Sequence, residues 1–134
     1  MRTILIVEDT DYCRDALEVA LMDVDGIELH TVSTAEAALE HLSGNDVCAI
    51  VTDLHLASRP NTPASMDGFG LIEAVRSHTS LAAMPILVIS GDTDPATPGR
   101  LAGLGADAFF PKPYSPSAVR HKLEQLIHAS FPKS

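Results

Sequence analysis

The chain holds no apolar run of membrane-spanning length, so no transmembrane helix is expected. It also lacks an N-terminal charged, apolar and cleavable segment; Thr3 to Val7 reads instead as a strand, which leaves a cytoplasmic protein as the expectation. Basic residues are scarce, nine against eighteen acidic ones, and they are scattered. The formal charge of -9 argues against a surface for nucleic-acid phosphates, which needs clustered Lys and Arg. Only two cysteines occur, Cys13 and Cys48, with no metal-type spacing around them, and both are expected to be buried, reduced thiols. No internal repeat, low-complexity tract or linker breaks the chain. One domain is therefore expected over residues 1–134, with a core of about 2–129.

What is present is an alternation of two periodicities. TILIV (Thr3 to Val7) is a buried strand followed at once by acids, and Cys13, Leu17, Leu21 and Val24 then recur at helical spacing over Tyr12 to Val24. Asp25-Gly26 stops that helix. Ile27 to Val32 reads as a half-buried strand, and Ser33 with Glu36 forms a capping box for a second helix on Ala35, Ala38, Leu39 and Leu42, ended by Gly44. Val47 to Thr52 is a third strand with Asp53 at its carboxyl end. Residues 54–67 then form an extended loop without periodicity, containing Pro60, Asn61 and Pro63. A third helix runs from about Gly68 to His78 on Phe69, Ile72 and Val75. Ile86 to Ile89 is a fourth strand ending in Ser90.

The fourth helix is expected to be short or mobile, because Pro95, Pro98 and Gly99 crowd its first turns and only Leu101, Ala102 and Leu104 supply an apolar face. Asp107 to Phe110 is a fifth strand. The last helix begins at Ser115 as cap and Pro116 as first helical residue, and buries Val119, Leu123, Leu126 and Ile127. Five strands without a sustained polar face, alternating with five helices, imply an α/β fold: a doubly wound parallel sheet covered on both sides.

In such a sheet the carboxyl ends of all strands share one edge, where ligands bind. Glu8, Asp9, Asp53, Ser90 and Lys112 are the residues that edge collects. Two carboxylates roughly 4 Å apart repel by about 4 kcal/mol at an effective dielectric of about 20. One lysine does not neutralise three of them, so a cation or a shifted protonation is needed. An all-oxygen donor set suits a hard divalent ion such as Mg²⁺, which handles phosphate, and disfavours zinc.

These same residues carry a resemblance. IVED (Ile6 to Asp9), TDLHL (Thr52 to Leu56), MDGFGLI (Met66 to Ile72), VISGD (Val88 to Asp92) and GADAFFPKP (Gly105 to Pro113) fall in the order and placement of receiver domains of bacterial two-component response regulators. The resemblance spans nearly the whole chain. It implies a flavodoxin-like (βα)5 fold with strand order 2-1-3-4-5. It also implies a phosphoprotein in which Asp53 accepts a phosphoryl group from a phosphohistidine of a histidine kinase or histidine phosphotransfer protein. Glu8, Asp9, Asp53 and the backbone carbonyl of His55 would hold Mg²⁺, with Mn²⁺ as an alternative ion. Ser90 would hydrogen-bond the phosphoryl group, Lys112 would pair with it, and the Lys112-Pro113 peptide would be cis.

In the same resemblance Ser90 and Phe109 form the switch. Phe109 stands where the family uses an aromatic, and without a hydroxyl its readout rests on ring packing. Self-phosphorylation from small phosphodonors, autodephosphorylation, an unknown downstream protein and a phosphorylation-dependent homodimer complete the expectation, with no direct nucleic-acid contact. No output segment is expected after the last helix, so a stand-alone receiver or one cut from a larger protein is anticipated.

The separation from Asp53 to Gly68 is longer than is usual in receivers, which places the extra length in the loop after the third strand. That loop could gate water, meet the kinase, or be a tolerated insertion. Two other classes compete. A haloacid dehalogenase-type phosphohydrolase would use Asp9 as nucleophile and Asp11 as general acid, but leaves Asp53 without a role. A receiver-like binding module would never be phosphorylated.

Overall fold

A computed structural model describes residues 2–8, 11–22, 24, 26–43, 47–54, 67–78 and 81–130. Five strands and five helices alternate: β1 (Arg2–Val7), α1 (Asp11–Leu21), β2 (Ile27–Val32), α2 (Ala35–Leu42), β3 (Val47–Asp53), α3 (Gly68–Ser77), β4 (Ile86–Ser90), α4 (Thr97–Leu104), β5 (Ala108–Pro111) and α5 (Pro116–Ser130). The sheet is wholly parallel, in the order β2-β1-β3-β4-β5. The doubly wound arrangement expected from the alternating periodicities is the one formed. None of the described helices is long and apolar enough to cross a membrane.

Side chains alternate across the strands and build two cores. Leu5, Val7, Ile50, Ile86 and Val88 face α2, α3 and α4, meeting Ala38, Leu71, Ile72, Val75 and Leu101. Ile4, Ile6, Ala49, Val51, Leu87 and Ile89 face α1 and α5, meeting Leu17, Leu21, Val119, Leu123 and Ile127. The three central strands are buried on both faces, which is why their sequences read as continuous apolar runs rather than alternating ones.

Several boundaries differ from the expectation. The cap of α2 is Thr34, whose side chain accepts from the Ala37 N–H at 3.1 Å, rather than Ser33. Burial of Ala35, Ala38 and Leu42 sets the rotation of this helix and starts it one residue later than a Ser33–Glu36 box requires. α1 stops at Leu21; Val24 is buried beyond it, its N–H returning to the Leu21 carbonyl at 3.2 Å. β3 extends through Asp53, α3 ends at Ser77 with His78 as its cap, and β5 is shifted by one residue, to Ala108–Pro111.

The buried face of α4 is Thr97 and Leu101 with half-buried Leu104, while Ala102 is exposed. That helix is short, with Pro98 in its first turn and Gly105 closing it in the left-handed conformation at φ 105°. On α5, Leu126 is half-buried beside the buried Val119, Leu123 and Ile127. Gly44 and most of the expected long loop, residues 55–66, lie outside the described residues.

Two ties cross between elements on the α2–α4 side. Arg76, in the last turn of α3, donates to the carbonyls of Gly105 at 3.0 and 2.7 Å, Met84 at 2.6 Å and Ala82 at 3.1 Å, and pairs with Asp107 at 3.0 Å. Asp107 in turn accepts from the Ile86 N–H at 2.8 Å, so one guanidinium fixes α3, the α4–β5 turn and the start of β4. Arg100 of α4 lies over the Phe69 ring of α3 at 3.8 Å.

Candidate functional site at the carboxyl edge of the sheet

β1, β3, β4 and β5 run parallel, so their carboxyl ends open together. Val7 pairs with Thr52, Asp53 with Ile89, and Ser90 with Pro111. Glu8 therefore emerges beside Asp53, and Lys112 beside Ser90. Backbone bonds hold these turns: the Glu8 N–H donates to Val32 at 3.0 Å, and the Lys112 N–H to Ser90 at 2.8 Å. The Lys112-Pro113 peptide is cis.

The Lys112 ammonium stands between the carboxylates, 3.2 Å from Asp53 Oδ2 and 3.4 Å from Glu8 Oε2. Glu8 is almost fully buried and Asp53 nearly so, whereas Lys112 keeps a quarter of its side chain in solvent. Burial disfavours the lysine's charge, but the Asp53 and Glu8 carboxylates more than offset this and hold its pKa above the ordinary lysine value. Buried ion pairs contribute little net stability, since desolvation opposes their attraction. This one is better understood as holding three groups in position. Lys112 also lies 3.5 Å from Cys13 Sγ of α1. Cys13 is half-buried, not buried as expected, while Cys48 is fully buried, and neither forms a disulfide among the described residues. Nearby, Tyr114 has its hydroxyl enclosed with no hydrogen-bond partner among the described residues; burial raises its pKa.

Ser90 is fully buried, and its hydroxyl oxygen accepts from the Asp92 N–H at 3.1 Å, leaving its proton to be donated elsewhere. The Asp92 carboxylate holds the Asp94 N–H at 2.8 Å, and Asp94 holds the Ala96 N–H at 2.9 Å. A ladder of side-chain-to-backbone bonds thus runs from Ser90 to the start of α4. On the other side of Asp53, the backbone is packed against α3. The Gly68 N–H donates to the Leu54 carbonyl at 2.9 Å, and a Cβ at Gly68 would strike the Asp53 carbonyl oxygen and come within 2.7 Å of Leu54 Cα. Only glycine permits this approach. Asp67 caps the helix by accepting from the Gly70 N–H at 2.9 Å.

Glu8, Asp53, Ser90 and Lys112 are thus gathered at one edge, as the strand pattern required. Asp9 and His55 lie outside the described residues. Phe109 is half-buried against the α2–α4 core and Phe110 against the α1–α5 core, as alternation on a strand demands. Sequence reasoning missed Cys13 as a neighbour of Lys112. Its helical spacing to Leu17 explained it fully as a core residue.

The strand order and the crevice at its carboxyl edge define a flavodoxin-like α/β protein whose ligand chemistry is centred on carboxylates and one ammonium. Comparison with known proteins narrows that class. Residues 4–124 match the family model described as response regulator receiver domain. GltR of Pseudomonas aeruginosa, a transcriptional regulatory protein, is 31% identical over 128 residues, covering 94% of this chain and 49% of GltR. SrrA of Staphylococcus aureus, also a transcriptional regulatory protein, is 29% identical over 126 residues, covering 92% of this chain and 47% of SrrA. Among solved structures, the chemotaxis response regulator CheY4 of Vibrio cholerae is 26% identical with a TM-score of 0.76, covering 94% of this chain and 98% of that one. The chain belongs to the response regulator receiver domain family of two-component signalling. It spans about half the length of GltR and SrrA.

Proposed function

We propose that Asp53 is the phosphoacceptor, taking a phosphoryl group from the phosphohistidine of a histidine kinase or histidine phosphotransfer protein. The observation that carries this is the pairing of Asp53 and Glu8 with one ammonium, beside a buried hydroxyl, at the open edge of the sheet. A carboxylate is already ionised and needs no general base. One Asp53 oxygen forms the bond to phosphorus as the bond from phosphorus to the donor nitrogen breaks, and the imidazole leaves with that electron pair. Lys112 neutralises charge on the transferring oxygens, and Ser90 donates its proton to one of them.

The donor set fits a hard divalent cation, because Glu8 and Asp53 present buried carboxylate oxygens that share one lysine. With Asp9 and the backbone carbonyl of His55, which lie outside the described residues, they would hold Mg²⁺, or Mn²⁺ in its place. When bound, the ion neutralises charge on the phosphoryl oxygens. A haloacid dehalogenase-type reaction on Asp9 would leave the Asp53–Lys112 pair unused.

The same site is proposed to take phosphate from small donors and to lose it to water. Ser90 and Phe109 are the proposed switch. The phosphoryl group carries about 1.5 to 2 negative charges where the Asp53 carboxylate carried one, drawing on the Ser90 hydroxyl, and packing of the Phe109 ring against the α2–α4 core reports the change to an unknown downstream protein or a second copy. We place this single receiver unit in the cytoplasm. The test is incubation with acetyl phosphate and Mg²⁺, followed by mapping of the adduct. The expected product is one acyl phosphate at Asp53, absent from Asp53→Asn; labelling of that variant at the wild-type rate and stoichiometry would remove the assignment.

A further inference from the structure

We infer that Cys13 is a positioning residue for Lys112. An ammonium has three donors, and here three different elements supply acceptors: Asp53 Oδ2 from β3 at 3.2 Å, Glu8 Oε2 from the end of β1 at 3.4 Å, and Cys13 Sγ from α1 at 3.5 Å. Lysine is a flexible four-carbon stem that carries a point charge, so its place depends on what its protons meet. The inference rests on the proposed phosphoacceptor role, because that role gives the three contacts different fates. Asp53 is the reacting group and Glu8 a proposed metal ligand, so both carboxylates change partners during the cycle. The sulfur changes nothing, and it holds the ammonium within reach of Asp53 while the other two contacts exchange.

The choice of sulfur matters for the same reason. A carboxylate at this position would bind the ammonium tightly and compete with the phosphoryl oxygens. A thiol is a weak acceptor, so it orients Lys112 without withholding it. Alanine offers no acceptor, whereas serine offers one with a shorter reach. A half-buried thiol is also reachable from solvent, unlike Cys48, which is fully buried.

The test compares wild type, Cys13→Ala and Cys13→Ser. In the metal-free protein, NMR of the Lys112 side chain reads the contact directly; exchange of its ammonium protons is expected to quicken about tenfold in Cys13→Ala. The initial rate of acyl-phosphate formation from acetyl phosphate at saturating Mg²⁺ is expected to fall about 3- to 10-fold, the range for one lost hydrogen bond. The Mg²⁺ concentration for half-maximal rate and the urea midpoint are expected to hold. Cys13→Ser should recover at least half of the lost rate, which a packing role would not require.

Methyl methanethiosulfonate provides a second perturbation. The Cys13 sulfur forms a bond to the reagent's outer sulfur, methanesulfinate leaves, the thiol proton goes to solvent, and the rate falls until dithiothreitol restores the thiol. Wild-type rate and unchanged Lys112 signals in Cys13→Ala would overturn this inference alone. A wild-type protein that takes no phosphate would overturn the phosphoacceptor reading, and this inference with it.

Discussion

Replacing Gly68 by alanine adds one methyl group at the most crowded backbone crossing in the site. The new carbon would overlap the Asp53 carbonyl oxygen and lie 2.7 Å from Leu54 Cα and 3.2 Å from the Asp53 carbonyl carbon. Comfortable carbon–carbon separations begin at about 3.5 Å, so the chains must part by roughly 0.8 Å. Neither side gives easily. All three of these neighbours are backbone; Leu54 is fully buried, Asp53 is registered against Ile89 of β4, and α3 is anchored by buried Leu71, Ile72 and Val75. Overpacking costs about 1–3 kcal/mol, and the better helix propensity of alanine returns at most about 1 kcal/mol, less at a first helical residue. A net loss of about 0.5–2.5 kcal/mol is expected from urea unfolding.

The functional loss should be larger than the stability loss. A shift approaching 1 Å at Asp53 moves its carboxylate relative to Lys112 and Ser90, and misplacement on that scale costs up to about 100-fold in rate. Acyl-phosphate labelling of Gly68→Ala under conditions where it is fully folded is therefore expected to run about 10- to 100-fold slower than wild type. A variant as stable as wild type that labels at the wild-type rate would refute the close-approach argument.

Arg76→Ala should destabilise the fold by about 2–4 kcal/mol in urea, because it strips the Gly105 and Met84 carbonyls and the Asp107 carboxylate of a shared donor, and Arg76→Lys should recover little of this. Stability should also fall in mild acid. His41 of α2 stacks on His30 of β2 at 4.0 Å with an interplanar angle of 9°, and burial followed by the neighbouring imidazole lowers its pKa from 6.5. A depressed histidine contributes stability that is complete above the unfolded value near 6.5 and is lost as pH falls through the lower folded value. Urea midpoints measured from pH 8 to pH 5 should show this loss in wild type and a shallower one in His41→Gln; equal slopes would rule out the pair as its source.

The sheet was legible in the sequence because Ile4 to Val7, Val47 to Thr52 and Ile86 to Ile89 are continuous apolar runs, and burial on both faces leaves no other use for them. The carboxyl-edge residues were legible for a geometric reason: parallel strands bring Glu8, Asp53, Ser90 and Lys112 together whatever the intervening chain does. Contacts made from helices were not. Arg76 reaches a carbonyl 29 residues away, and Cys13 meets an ammonium 99 residues away. No periodicity encodes either meeting, since each depends on how far a helix slides over the sheet. The Thr34 cap was displaced from Ser33 on the same account: adjacent hydroxyl residues are equivalent locally, and the packing of Ala35 and Ala38 decides between them.

The bonds running from Ser90 through Asp92 and Asp94 to Ala96 make the approach to α4 a row of latches, each closed by the residue before it. Turning the Ser90 side chain opens the first, because the Asp92 amide loses the hydroxyl oxygen that accepts from it. On the proposed switch, the second and third latches would stay shut and pass the displacement on as a unit. It would reach a helix of eight residues whose N-cap, Ala96, makes no side-chain cap hydrogen bond. A rotation about one bond in a buried serine would in this way be geared to the entry of a helix little more than two turns long.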